Sequence, residues 1–373
     1  MKNSSVKQNN RSDILSVIMA RQPVSRKQVS ELLEISPAAV TNIVDELISS
    51  GLVVEGAFGE ASARGGRRPI FLRICEEAGL VLTAAFRLQN AWISVCNLMG
   101  KELFSRSYAD FSFDGMPRLF QTLSADTAQL IEQAGGRERF VGAGLSIPGT
   151  VENNRVLYSP ELGLVDCDLA AVLQKELQMP VYIDKDVYLN ALGENWMGAG
   201  WDYSDFVVVT IGTGIGSAII INNRIYRGHC SMAGEIGYMW VKDHHFQDIA
   251  STTALVQHVE AQTKEADLNG KIICARAKRG DAVCMQAIRE LCSHIAIGVS
   301  SCACLMNPQI VILGGGIMTQ KELFAPLMET YLKQYMNEEI YAHTQLAFAQ
   351  LGNRAGMVGA CAYWMKQEGI RFA

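Results

Sequence analysis

Twice along this chain, three consecutive strand-like runs lead into alternating helices and strands. That duplication restricts the possible folds more than any other feature. The first set is "GLVLTAAFRL" (79–88), "AWISVCNLMG" (91–100) and "KELFSRSYAD" (101–110), with a turn at Met99-Gly100. A helix near 116–134, the buried strand "RFVGAGLSI", a helix over 168–177 and the short strand "VYID" complete the first unit. The second unit opens with "FVVVTIG", "SAIIIN" and "RIYRG", then has long helices near 251–264 and 281–306 and the strand "QIVILGGG". Two α/β units of this pattern predict a bilobal body with a cleft between the lobes.

Length agrees with several domains, since 373 residues with 49% hydrophobic content exceed what one core organises. No uninterrupted apolar run approaches the ~18 residues of a membrane span, and the opening "MKNSSVKQNNRSD" is polar rather than signal-like. A soluble, cytoplasmic chain without membrane contact is expected. The ten cysteines are scattered and include no CxxC pair, as fits small buried thiols.

The net charge of −5 is unevenly spread: residues 1–74 carry +3 and the remainder −8. A basic head on an acidic body suggests that only the head meets a polyanion. Three helices are expected in that head. Residues 10–20 place Ile14, Leu15 and Ile18 on one face. "SRKQVSELLEI" starts with a Ser25/Gln28 capping box and turns Val29, Leu32 and Leu33 inward. "SPAAVTNIVDELISSG" has Ser36 as N-cap, Pro37 in the first turn, Gly51 as stop, and Val40, Ile43, Val44, Leu47 and Ile48 at helical spacing.

The one or two residues between the second and third helices give helix-turn-helix spacing. Ala38, Ala39, Thr41 and Asn42 face away from the apolar stripe. Small residues admit a thymine methyl, and Asn42 can pair with adenine. Beyond Gly51, extended stretches at 52–55 and 69–74 flank a glycine-rich loop with Arg64, Arg67 and Arg68, which resembles a winged-helix hairpin suited to phosphate or minor-groove contact. An ordinary three-helix module with a solvated basic loop is the alternative.

Several motifs then occur in one order: "GLSIPGTVE" (144–152), "DKDVYLNALGE" (184–194), "IGTGIGSAI" (211–219), "GHCSMAGEIGY" (228–238), "NPQIVILGGGI" (307–317) and "LGNRAGMVGA" (351–360). On these the chain resembles the ROK family (repressors, open reading frames and sugar kinases), over essentially all of 79–373. With its winged head it is similar to the xylose and N-acetylglucosamine type of repressor. The resemblance implies an actin-like, ribonuclease-H-like sugar-kinase fold. It also implies domains at 1–78 (winged helix-turn-helix, DNA-binding) and 79–373 (effector-binding and oligomerisation). The lobes of the latter fall near 79–185 with the C-terminal helix, and 186–354.

Departures from the family are as informative. Its second phosphate turn is present as Gly212-Thr213-Gly214 with Gly216, although the following residue is Ser217. Its first, a DxGGT-type turn, is replaced by Ala85-Phe86-Arg87-Leu88-Gln89, whose side chains crowd a phosphate that needs bare backbone. Phosphotransferase activity is therefore not expected, and the phosphate turn is read as vestigial. The family's catalytic base corresponds to Asp186, beside Lys185. Its zinc-binding histidine is replaced by Tyr238 and its cysteine loop is missing, so neither metal nor cofactor is expected. The SPN turn reads Ser159-Pro160-Glu161.

The inherited pocket would hold Glu161, Lys185, Asp186, Glu235 and Tyr238, a set suited to a modified sugar or simply degenerate. The expected function is a sequence-specific repressor of carbohydrate genes. It would bind a pseudo-palindromic double-stranded operator as a homodimer or dimer of dimers, under control of a carbohydrate-like effector. A ROK sugar kinase with an appended head, and a regulator answering to a protein partner, are the alternatives.

Overall fold

Residues 2–58, 69–87, 90–109, 116–241 and 243–367 are described by the structure, a computed structural model, with backbone alone at 2–9, 12, 20, 57–58, 109 and 116–123. The chain divides into two units, Met1–Asp186 with Ala360–Ala373, and Val187–Gly359.

The head follows from its caps. Lys2–Arg21 is the first helix, longer than the sequence pattern indicates, and it buries Ile14, Leu15 and Ile18. In the second, Arg26–Leu33, the Ser25 hydroxyl accepts from the Gln28 N–H at 3.3 Å while Gln28 Oε1 accepts from the Ser25 N–H at 2.9 Å. Two backbone donors at the helix start are thereby satisfied reciprocally. Leu32, expected to point inward, is 56% exposed. Val29 and Leu33 share the inward stripe at i,i+4, and Leu32 falls at its edge and turns to solvent.

The turn is Glu34, left-handed at φ 54°, then Ile35 and Ser36, and the Ser30 hydroxyl secures it on the Ile35 carbonyl at 2.6 Å. Ser36 caps Pro37–Ser49, which buries Val40, Ile43, Val44 and Leu47. Its end is closed by Gly51 at φ 74°, with the Leu52 N–H on the Leu47 carbonyl.

Two strands, Val53–Phe58 and Ile70–Ile74, form the antiparallel base of the wing. A short strand before the second helix, Val24–Ser25, adds to it with Val24 opposite Leu72. Two residues carry too little periodicity to be legible in the sequence; pairing alone defines them.

The rest of the first unit is built on a five-stranded sheet. Leu80–Arg87, Asn90–Asn97 and Glu102–Ala109 form an antiparallel meander, and Phe140–Ile147 and Val181–Lys185 extend it in parallel from the first strand. One face packs Leu82, Ala84, Phe86, Ile93 and Leu145 against the helix Leu169–Leu177. On the other face the last residues of the helix Ala355–Gln367 come so close that a Cβ on Gly142 would lie 1.9 Å from Trp364 Nε1, and one on Gly144 2.4 Å from the Ala360 carbonyl. A small meander, Thr150–Glu152, Arg155–Ser159 and Leu164–Cys167, was not read from the sequence. Its first turn is Asn153-Asn154, both with positive φ, the signature of a two-residue hairpin.

The second unit repeats the order. Phe206–Ile211, Ile215–Ile221 and Arg224–Tyr226 form the meander, and Ile310–Gly314 and Gln345–Phe348 add in parallel. Both faces are covered: Val207, Val209, Ile211, Val311 and Leu313 lie in one cluster and Phe206, Val208, Ala218, Ile220 and Ile312 in the other. The helix Ala282–Met306 is long and apolar enough to cross a bilayer, yet Ile288, Leu291, Ile295, Val299 and Ala303 are buried in the first cluster, which makes it a core helix.

Candidate functional site

In the head, the N-terminal end of Pro37–Ser49 carries the residues singled out for base contact. Ala38, Thr41 and Asn42 are exposed and Ala39 is half-buried. The Thr41 hydroxyl donates back to the Pro37 carbonyl at 2.8 Å while the residue stays exposed. Arg64, Arg67 and Arg68 lie outside the described residues.

In the first unit, Glu161 follows Ser159-Pro160 in the turn after Arg155–Ser159, and Lys185 and Asp186 lie where the strand Val181–Lys185 meets the next helix. Burial pushes the Glu161 carboxyl above its usual range, and the Asp186 charge adds to this against the opposing effect of Arg87. Glu161 therefore lies within electrostatic reach of both Asp186 and Arg87. Lys185 is buried, and its backbone N–H bonds the Asp184 carboxylate at 2.8 Å. Arg87 itself stacks over Trp92, 5.5 Å from the ring centroid. Ser159 Oγ is fully buried and has no hydrogen-bond partner among the described residues.

In the second unit, Glu235 is half-buried at the start of a 3-10 turn over Ile236–Tyr238. Tyr238 is 60% exposed, and its carbonyl contacts His245 Nδ1 at 3.1 Å. The His245 ring lies 5.9 Å from Tyr238, edge to face, and 4.7 Å from Trp240. Trp240–Val241 and His244–His245 pair as a two-stranded ribbon. Ring contacts thus brace this segment. Among the described residues, no group of three or more His, Cys, Asp or Glu is placed to hold a metal ion.

The glycine-rich turn joins Phe206–Ile211 to Ile215–Ile221. Its members have different reasons to be glycine. A Cβ on Gly216 would lie 2.4 Å from Val187 Cγ1, so this glycine admits the neighbouring helix. At Gly212 the nearest atom is 3.9 Å away. The Gly212 N–H is engaged by the Gly214 carbonyl at 2.9 Å, while the Gly212 and Thr213 carbonyls accept from the Thr252 N–H and Thr253 hydroxyl at 2.8 and 2.7 Å. Ser217 is buried and donates to the Gly234 carbonyl at 2.7 Å, tying the strand to the loop before Glu235.

Sequence reasoning missed Glu194. Its carboxylate is 1% exposed and accepts the backbone N–H groups of Ala199 (2.8 Å), Gln350 (3.1 Å) and Leu351 (2.9 Å). Its position at the end of "DKDVYLNALGE" was visible; that the acid holds backbone rather than ligand was not.

The ROK family profile matches residues 115–368, and a profile described as winged helix-turn-helix DNA-binding matches residues 8–54. The chain belongs to the ROK family. A xylose repressor of Caldicellulosiruptor bescii is 28% identical over 96% of this chain and 95% of its own length. A solved ROK family transcriptional regulator, described as a homologue of the E. coli MLC protein, superposes at TM-score 0.84 and 23% identity over 98% of each chain. A ROK family glucokinase from Streptomyces griseus, solved with glucose and AMPPNP, superposes at TM-score 0.68 and 25% identity over 76% of this chain and 99% of its own. The body is thus shared by regulators and kinases, whereas the whole length of this chain, head included, is matched by regulators.

Proposed function

We propose that this ROK protein is a DNA-binding transcriptional repressor of sugar-metabolism genes, controlled by a carbohydrate-like effector. The observation that carries the reading is the helix Pro37–Ser49. It presents Ala38, Thr41 and Asn42 to solvent at its N-terminal end, within a winged helix joined to a ROK body. Residues 1–78 serve as the DNA-binding domain and 79–373 as the effector-binding and oligomerisation domain. Two or more heads, in a homodimer or dimer of dimers, read a pseudo-palindrome whose half-sites lie about 10 bp or a multiple apart.

Glu161 and Asp186 accept hydrogen bonds from effector hydroxyls, with Lys185 as a neighbouring cation. Glu235 and Tyr238 are separate candidates on the second unit. Phosphoryl transfer is absent from this reading. The strand Leu80–Arg87 ends on buried Phe86 and on Arg87 packed over Trp92, where a kinase needs open backbone around a phosphate. Leu88 and Gln89, also part of the replaced turn, lie outside the described residues. Within the remaining glycine turn, the Gly212 N–H is already bonded. An effector with unequal affinity for two arrangements of the protein shifts operator affinity by its differential binding.

Selection of duplexes from a random pool by the full chain, followed by thermal-shift screening with sugars, amino sugars and phosphosugars, tests this reading. Recovered duplexes should share a pseudo-palindrome, and a stabilising sugar should change affinity for them. Asn42→Ala should weaken binding by about 1–3 kcal/mol and relax preference at one base position. No selected sequence, or ATP turnover on any sugar above blank, would refute the repressor reading.

A further inference from the structure

Arg26 is the first residue of the second helix of the head, directly after the cap Ser25. Its guanidinium spans two other elements: Nη2 lies 2.8 Å from Asp45 Oδ1 and Nη1 lies 2.5 Å from Glu55 Oε1. The third nitrogen, Nε, is buried and finds no partner among the described residues. Asp45 follows Ala38, Thr41 and Asn42 at helical spacing and therefore lies on the same face of Pro37–Ser49. Glu55 belongs to the strand that leads into the wing. One side chain thus links the start of the second helix, the base-reading helix and the wing.

Two exposed carboxylates on a face that meets a polyanion oppose binding. An isolated surface ion pair contributes little, but a planar fork that holds both acids fixes geometry as well as charge. A lysine, as a point charge, does not. We propose that Arg26 is a positioning residue for DNA recognition: it fixes the reading helix to the wing and neutralises Asp45 and Glu55 without itself touching phosphate. The proposal rests on the DNA-binding reading above.

The test uses the full-length chain, the duplex that the wild type selects, and a scrambled duplex of equal length, with affinities measured across a series of KCl concentrations. Arg26→Gln should lower the ratio of selected to scrambled affinity by about tenfold, within the range of a lost recognition element. The salt slope should stay unchanged, because no phosphate contact is removed. The triple variant R26Q/D45N/E55Q should recover most absolute affinity but not the ratio. D45N/E55Q, which keeps Arg26 and retains the fold if R26Q does not, should also lose selectivity.

A fall of about one in the salt slope for R26Q would mean that Arg26 contacts phosphate, and undiminished selectivity in D45N/E55Q would mean that the fork does not position the helix; either result overturns the proposal. An unchanged ratio in all three variants overturns it as well. If the wild type selects no duplex, the DNA-binding reading itself fails, which separates the two outcomes.

Discussion

Replacing Glu194 with Gln keeps the shape of the side chain and changes only what its two terminal atoms can accept. In the native second unit, one oxygen serves the Ala199 and Gln350 N–H groups and the other serves Leu351. The amide oxygen of Gln can keep the first two, but its NH2 group then confronts the Leu351 N–H, donor against donor. Leaving one buried donor unpaired costs about 1–3 kcal/mol, and turning two charge-assisted bonds into neutral ones costs about 1 kcal/mol each. Removing a charge from a site only 1% exposed offsets part of this. A net loss of about 3 kcal/mol is expected, or roughly 6–12 °C in Tm for a domain of this size. Urea unfolding, with hydrogen exchange followed at Leu351, measures both the loss and its location. If E194Q unfolds within about 1 kcal/mol of the wild type at an unchanged m-value, and Leu351 stays protected, the bonds do not hold the unit together and the reasoning fails.

Gly216→Ala places a Cβ 2.4 Å from Val187 Cγ1 and should cost about 1–3 kcal/mol by overpacking, whereas Gly212→Ala, with nothing nearer than 3.9 Å, should be nearly neutral in thermal melts. Equal effects would show that Gly216 is not there for packing. Ser25→Ala removes the capping-box acceptor and should destabilise the head by about 1 kcal/mol, seen as earlier loss of head protection in hydrogen exchange. Glu161 has a raised folded pKa, so the native state holds its proton more tightly than the unfolded chain, and stability falls as pH rises from its ordinary value to the raised one. The stability of E161Q relative to the wild type should therefore climb through that window and level off above it in melts between pH 4 and 8. A difference independent of pH would contradict the burial argument.

The head was legible in detail because its signals are local. Ser25, Gln28, Ser36, Pro37 and Gly51 act within one helical turn of themselves, and each stands where the caps and stops require. The leading strands of both units and the helices near 116–134, 168–177, 251–264 and 281–306 were visible too, since both units alternate buried apolar runs with polar turns. Other elements had no local mark. The strand Val24–Ser25 exists only through pairing with Ile70–Ile74. The helices Gly270–Lys278 and Lys321–Tyr335 carry apolar faces as marked as that of Ala282–Met306 and were legible in principle, although they went unread. Asn153-Asn154 and Asn222-Asn223 were readable hairpin signals that went unused; the second closes Ile221 against Arg224.

Taken alone, the sequence determined the fold class, the winged head and the family, because periodicity, capping residues and ordered motifs each depend on chemistry within a few positions. What individual residues are for was decided only by tertiary structure. Gly216 looked like a phosphate glycine and proves to be the space into which Val187 packs. Glu194 looked like a motif acid and proves to hold backbone groups from 199 and from 350–351. Arg26, which carries no motif of its own, is bound to acids 19 and 29 positions away. In each case a decisive partner is remote in the chain, and the residue's role is set by a distance that spacing in the sequence does not encode.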